Sequence, residues 1–590
     1  MNKLLYLLSA ATVSLTLASC SLDADDITEA TGDKFPASEE DATASLAAIY
    51  ENLNQVCATP QQSFLYLSML ASDDNLGGGG TNDKLMQAED LLCNYNQNMT
   101  EQFWKDRYSG ISRANGLIAS LPNITTLSKE IRNTDMGEAL FLRAFYHYEL
   151  ASMYGNVPLM TEATGKVMKQ GEVKVLWEQI LQDLYDAATC YLPAKRRNDG
   201  HIDKYTAEAM LGRAWLFYTG MYGNGTDLKA LTSTAYSPLT EVALPNSKTL
   251  TKKMVSDCID TCVNNSGYSL VPDYRNLWAY TNRCTVEDYS YTKGQGLKWV
   301  ENDETAASDN NPESMFAVKF NKLSSWSTTI GYANGYALHF GMRGGQDYAN
   351  TFPFGQGWGA GPVAPNLVKE WQADEPNDLR LEASIQDVNK LPAYKRGGWA
   401  DFVQETDYYE KKLSPISAKN SDGKYVCCFE DIMYGDKGGL SGGYGNNMQL
   451  DNIHDLVLIR FADVLLMQSE LEENVSGINR VRARAGLAPI STYSLKVLQN
   501  ERRHELAFEG VRWNDIRRWH IAAAALEAQN NQPVYYCGKE AKNTAHNGGY
   551  AARYNATQDS SRCRRTRYPS AVSYRTTDGT TALSIRAGNE

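Results

Sequence analysis

From Ala37 to about residue 267, apolar and small side chains recur every three or four positions, the spacing of amphipathic helices. Ala44, Leu46, Ala47, Ile49, Tyr50 and Leu53 mark the first. Trp104, Tyr108, Ile111, Ala114, Asn115 and Ile118 mark a second over Phe103 to Leu121. The clearest runs from Met136 to Tyr154, where Leu140, Phe141, Ala144, Phe145, Tyr148 and Ala151 form a broad stripe. Gly155 and then Pro158 stop it. Val175 to Leu192, closed by Pro193, and Thr206 to Tyr218 predict two more helices. Ser72 to Thr81, with four glycines, predicts a flexible loop. Small residues at turn spacing in consecutive helices let them approach closely, the logic of tetratricopeptide-like stacking, although the strict repeat consensus is absent.

The texture changes at about Tyr268. Helical periodicity weakens, Gly, Asn, Trp and Tyr rise, and short β-like runs appear, such as Met315 to Phe320. Helices return over Leu456 to Glu472, Gly477 to Ala485 and Leu495 to about Ala528. The expected fold is mainly α. One domain spans 37–530, with a helical scaffold at about 37–267 and 450–530 carrying a large loop-rich region at about 268–449 with a few short strands. Rigid scaffolds commonly present binding residues on such loops.

Both ends differ from this pattern. Lys3 precedes an apolar stretch from Leu4 to Leu17, followed by Ala18, Ser19 and Cys20. The stretch is too short and too rich in Ser and Thr to span a bilayer, and reads as a signal peptide over 1–19. Small residues admit a peptidase, and the Cys20 thiol is the nucleophile that takes a diacylglycerol. Cys20 is therefore the expected lipidation site, with palmitate-type chains holding the protein to a membrane. Residues 20–36 form a tether in which Asp23, Asp25 and Asp26 are either a solvated linker or an acidic sorting signal. At the other end, patterning dissolves over 531–590. Arg553, Arg562, Arg564, Arg565, Arg567, Arg575 and Arg586 face only Asp559, Asp578 and Glu590 from Ala551 onward. This basic tail is expected not to pack, either as a flexible extension or as a replaced, out-of-frame terminus.

Net charge of −13 over 590 residues argues against sequence-independent nucleic-acid binding, which needs basic stripes. The 11 cysteines include no paired CxxC knuckles, so a structural zinc site is not expected. Most read as buried small apolar residues; one or two bridges are compatible with export. His504-Glu505 is half a zinc-protease motif, but position 508 is Phe. Gly77 to Gly80 lacks the Lys-Ser/Thr of a phosphate loop. No catalytic residue, metal ligand or cofactor is expected. Glu501, Glu505 and Glu509 are spaced for helix-stabilising ion pairs with the arginines among them, a scaffold role worth about 0.2–0.5 kcal/mol per exposed pair.

Four stretches carry more than composition. They are Arg143-Ala144-Phe145-Tyr146-His147-Tyr148-Glu149-Leu150 running to Tyr154-Gly155-Asn156-Val157-Pro158-Leu159; Ile459-Arg460-Phe461-Ala462-Asp463; Asn479-Arg480-Val481-Arg482-Ala483-Arg484; and Glu501-Arg502-Arg503-His504-Glu505 through Glu509, Arg512 and Arg518 to Trp519. In this order, behind a lipid-attachment cysteine, they closely resemble the SusD/RagB family of surface nutrient-binding lipoproteins. The resemblance implies a helical fold, display on the outer membrane, and capture of oligosaccharides for a TonB-dependent, SusC-like transporter. It also implies that the acids after Cys20 act as a surface-export signal. The chain departs from the family in lacking its usual C-terminal ending.

A non-catalytic glycan binder stacks aromatics on sugar faces and reads hydroxyls with polar side chains. Trp299, Trp326, Trp358 and Trp399 lie in Gly- or Asn-rich surroundings and are the candidate platforms, with core burial the equal alternative for each. Trp358, between Gly357 and Gly359, is expected to expose its ring; Trp278 is expected in the core. Asp73, Asp74 and Asn75 fall where the family often contributes polar ligand contacts, with a solvated turn as the alternative. Two other functions remain open: peptide binding on the same scaffold, and a surface glycosidase, which needs two carboxylates about 5–9.5 Å apart.

Overall fold

The computed structural model describes residues 35–83, 85–86, 100–163, 168–197, 199–225, 235–301, 311–320, 333–344, 348–419, 422–428, 452, 454–543, 571–577 and 580–586. The signal peptide, Cys20 and most of the tether lie outside these residues, as does Trp326.

Among the described residues seven helices build the first scaffold: α1 (Glu39–Ala58), α2 (Phe64–Leu70), α3 (Glu101–Ser120), α4 (Lys129–Tyr154), α5 (Val173–Asp186), α6 (Lys204–Met221) and α7 (Lys252–Asn265). Local chemistry sets their ends. Ser38 caps α1 by accepting from the Asp41 N–H at 3.1 Å, while Asp41 accepts from the Ser38 N–H at 3.2 Å. Ser128 caps α4, and Gly155, at φ 77°, ends it. From α3 onward each helix packs on the next. Small residues sit where the approach is closest: a Cβ on Gly110 of α3 would meet the Tyr146 ring of α4 at 2.6 Å, and one on Gly212 of α6 would meet Ile259 of α7 at 2.7 Å. This is the helix-pair stacking that the spacing of small residues predicts.

The loop-rich region contains α8 (Gly335–Phe340), α9 (Pro365–Asp374) and α10 (Leu379–Ser384). Its strand pairs are short, and it has a small core of its own, formed by Tyr280, Trp299, Phe354, Phe402 and Tyr409 among others. A strand over Ser314–Val318 pairs antiparallel with Leu456–Arg460 and ties this region to the scaffold. Leu456–Arg460 therefore does not begin a helix, as its apolar spacing suggests. It is a strand, and α11 (Phe461–Glu472) starts only after it.

The last scaffold adds α12 (Ser476–Arg484), α13 (Leu495–Leu506), α14 (Arg512–Arg518) and α15 (Ala522–Glu527). The helix expected over Leu495 to Ala528 is thus three helices. The chain turns at Phe508 (φ 64°) and Gly510 (φ 72°). A Cβ on Gly510 would lie 2.1 Å from Leu65 of α2, so both conformation and space require glycine there.

The start of the tail packs, contrary to expectation, while Arg553, Arg562, Arg564, Arg565 and Arg567 lie outside the described residues. Strands Pro533–Tyr536 and Lys539–Lys542 form a hairpin whose Val534 is buried. Tyr535 exchanges backbone hydrogen bonds with Glu405, and the Cys537 N–H donates to the Phe402 carbonyl at 2.7 Å. A second hairpin pairs Ala571–Thr577 with Thr580–Arg586. The thiols of Cys57, Cys258 and Cys262 are free and buried, those of Cys190 and Cys537 free and exposed. Among the described residues no helix is long and apolar enough to cross a membrane.

Candidate ligand-binding site

The ordered arginines and acids of the sequence motifs form a buried ionic lattice. Arg143 grips Asp183 with two bonds of 2.7 Å, and the Tyr154 hydroxyl donates to Thr100 at 2.8 Å. The Pro158 carbonyl accepts from the Tyr108 hydroxyl at 2.7 Å. Arg460 bridges Glu313, Glu505 and Glu509. Glu501 and Glu505 both receive Arg380, at 2.6 and 3.0 Å. Asp463 lies between Arg213 and Arg502, each at 2.7 Å, and Arg518 pairs with Glu470 and Asp515. The acids of α13 and the turn beyond it are therefore not exposed i, i+4 partners. Their guanidinium partners come from other elements; Glu501 and Glu505 are buried and Glu509 is partly so. Burial alone would raise the Asp463 and Glu505 pKa values, yet the surrounding arginines hold both carboxyls well below the usual range.

The same lattice claims the early acids. Asp73 receives two bonds from Arg512, at 2.7 and 2.8 Å, and Asp74 one from Arg503 at 2.7 Å. Asn75 donates to the Gly361 carbonyl at 2.8 Å. All three are buried to 1% exposure, so they face no ligand. The flexible loop expected over Ser72 to Thr81 is instead fixed underneath the site. Backbone bridges join Asn75 to Val363, Gly78 to Ala360 and Gly80 to Phe402.

The tryptophans separate by depth. Trp299 is 2% exposed in the small core. Trp278 is half-buried between that core and a neighbouring apolar cluster, with the Lys412 ammonium 4.7 Å from its ring. Trp358 is half-buried, its ring 4.3 Å from that of His339, which burial keeps neutral with a pKa near 3. The glycines beside Trp358 serve packing, not ring exposure. A Cβ on Gly357 would lie 2.4 Å from Gly341, and one on Gly359, at φ 78°, 2.7 Å from Arg343.

Trp399 is the exposed tryptophan among the described residues, at 40%. Its loop is tightly shaped: Gly397, Gly398 and Ala400 all have positive φ, and for Ala400 (φ 67°) that conformation costs on the order of 1 kcal/mol. The Arg343 guanidinium sits 4.6 Å from the indole centroid and covers one face. Arg343 also donates to Asp401 at 2.9 and 3.1 Å and to the Trp358 carbonyl at 2.8 Å, and lies 3.6 Å from Asp83. The hairpin of Pro533–Tyr536 and Lys539–Lys542 braces the loop, and the Arg396 guanidinium lies 4.0 Å from the Tyr535 ring. The result is a pre-set aromatic surface flanked by the carboxylates of Asp401 and Asp83, whose side chains are 34% and 35% exposed. Arg343, Asp83 and Asp401 escape a reading by spacing; the signal in hindsight is Gly397-Gly398-Trp399-Ala400-Asp401 itself. Among the described residues no cluster of His, Cys, Asp or Glu is placed to hold a metal ion.

Comparison with known proteins gives this arrangement its relatives. Residues 33–216 match the family described as "Starch-binding associating with outer membrane", and residues 282–574 match the SusD family. SusD-like protein P2 of Formosa agariphila is 24% identical over 90% of this chain and 93% of its own. Among solved structures, a laminarin binding SusD-like protein superposes with a TM-score of 0.59 at 24% identity, covering 83% of this chain and 94% of that one. Surface glycan-binding protein A from Bacteroides thetaiotaomicron, in complex with laminarihexaose, gives 0.59 at 18% identity over 86% and 95%. With two family models in register along the chain, a relative that spans nearly all of it, and the ordered motifs locked into one ionic lattice, the chain belongs to the SusD/RagB family.

Proposed function

We propose that this protein is a non-catalytic surface lipoprotein that binds glycans and delivers oligosaccharides to a TonB-dependent, SusC-like outer-membrane transporter. The observation that carries the reading is Trp399, an exposed indole held in place by Arg343 with two solvent-facing carboxylates beside it. Sugars offer apolar CH faces and hydroxyl edges, and this surface offers their complements. Relatives named as laminarin-binding and glycan-binding share the fold. The Leu17-Ala18-Ser19-Cys20 sequence supports acylation at Cys20, and the acids behind it support surface display. A lipid anchor would keep the site where polymeric substrate arrives.

The chemistry of the interior favours binding over cleavage. A glycosidase needs an accessible carboxylic acid held protonated near neutral pH. Burial pushes Glu208 up to about 8, Glu410 up to about 7 and Asp135 up to about 6, but these residues are 2%, 0% and 8% exposed, out of reach of a glycan chain.

The test is affinity electrophoresis and calorimetry of the full-length protein, purified in detergent, against a panel of polysaccharides and peptides. Binding to at least one glycan, lost in Trp399→Ala and accompanied by no reducing-end release, is the expected result. Binding to peptides alone, or glycan turnover abolished by one carboxylate substitution, would overturn it.

A further inference from the structure

Resting on that reading, we infer that the Trp399 surface selects neutral glycans and rejects anionic ones, with Asp401 and Asp83 as its specificity-determining residues. The argument is one of unspent hydrogen-bonding capacity. Arg343 is the cation beside the indole, and it is already committed. Its Nε and Nη2 donate to Asp401, its Nη1 donates to the Trp358 carbonyl and faces Asp83, and its Cζ lies over the Trp399 ring. Only 7% of Arg343 remains exposed. A uronate or sulfate arriving at Trp399 would find the Arg343 guanidinium already paired.

The two carboxylates are in the opposite position. Asp401 and Asp83 each keep about a third of the side chain in solvent. The Arg343 guanidinium fixes Asp401, and the Gly80 N–H, donating at 2.6 Å, fixes Asp83. An ionised carboxylate only accepts hydrogen bonds. The capacity left open around the ring therefore suits hydroxyl donors, which every neutral sugar carries on its edge. A ligand carboxylate or sulfate would meet like charge, which is unfavourable and, among the described residues, not relieved by a free cation beside the ring. Among the described residues Lys395, on the same loop and exposed, is the group an anionic ligand would have to recruit.

Calorimetry with the full-length protein would compare neutral probes (laminarin, xyloglucan oligosaccharide, dextran) with anionic ones (polygalacturonate, alginate). The expected result is binding confined to neutral probes, little changed between low and high salt. Asp401→Asn and Asp83→Asn would each weaken it by about tenfold or more, as for hydrogen bonds to a charged group. Asp83→Asn leaves the Arg343–Asp401 pair intact, so its effect reports ligand contact and not ring placement; an unchanged melting temperature accompanies it. Preferred binding of an anionic probe through Trp399, salt-sensitive and lost in Lys395→Gln, would overturn the charge selection and leave glycan binding standing. Neutral binding indifferent to both Asp substitutions would overturn their role. Neutral binding unaffected by Trp399→Ala would place the site elsewhere and overturn the inference. Failure of every glycan would remove the proposed function itself.

Discussion

Asp73 and Arg512 stand 439 positions apart in the chain and meet through two hydrogen bonds of 2.7 and 2.8 Å in the interior. The contact fastens the segment below the candidate site to the start of the helix Arg512–Arg518, and Arg503 adds a second guanidinium to Asp73 at 2.9 Å. Replacing Asp73 with Asn should therefore act on stability, not on ligand affinity. Removing one partner of a buried pair leaves uncompensated charge, at a cost of roughly 3–5 kcal/mol. Denaturant unfolding would measure it. Asp73→Asn with Arg512→Gln should cost less than the sum of the two single changes; strict additivity would show that the pair is not coupled.

The lattice predicts an acid limit. Asp463 and Glu505 have folded pKa values depressed by their arginines. Depressed acids contribute stability that is fully present above the unfolded-state value and lost as pH falls through the folded one. The melting temperature should thus decline below about pH 4, the ordinary carboxylate value. In Asp463→Asn that decline should be shallower and start from a lower stability. A melting temperature flat from neutrality to pH 3 would contradict it.

Glu208 predicts the opposite slope on the alkaline side. Burial raises its pKa to about 8, so the folded state binds a proton that the unfolded state has already released. Its contribution is present below the unfolded value and lost as pH rises toward 8. Glu208→Gln, which keeps the shape without the charge, should melt increasingly above the parent protein as pH goes from 5 to 9. Parallel curves across that range would refute the assignment.

The hairpin behind Trp399 gives a fourth expectation. Val534 is buried and anchors strands that bond to Glu405 and Phe402. Val534→Asp places a charge where it cannot be solvated. Hydrogen exchange should rise across residues 396–407 and glycan affinity should fall, while protection in the helices Glu101–Ser120 and Lys129–Tyr154 stays unchanged. Unaltered exchange in the 396–407 loop would show that the hairpin does not brace it.

What the sequence by itself determined is local or strongly patterned. Helical spacing placed the element from Met136 to Tyr154, and Gly155 ended it where predicted, because caps and periodicity act within a few residues. The ordered Arg and Glu motifs carried the family, since they recur as linear strings. Tertiary structure alone decided the rest. Arg460 finds Glu313 from 147 positions away, and Glu505 takes its cations from three separate segments, so spacing within one helix named the wrong partners. Leu456–Arg460 became a strand because Ser314–Val318 lies beside it. Trp299, Trp358 and Trp399 sit in similar glycine-rich surroundings, yet one is in the core, one lies against a histidine and one faces solvent. Exposure depends on what distant chain packs over a ring, and no local pattern encodes that.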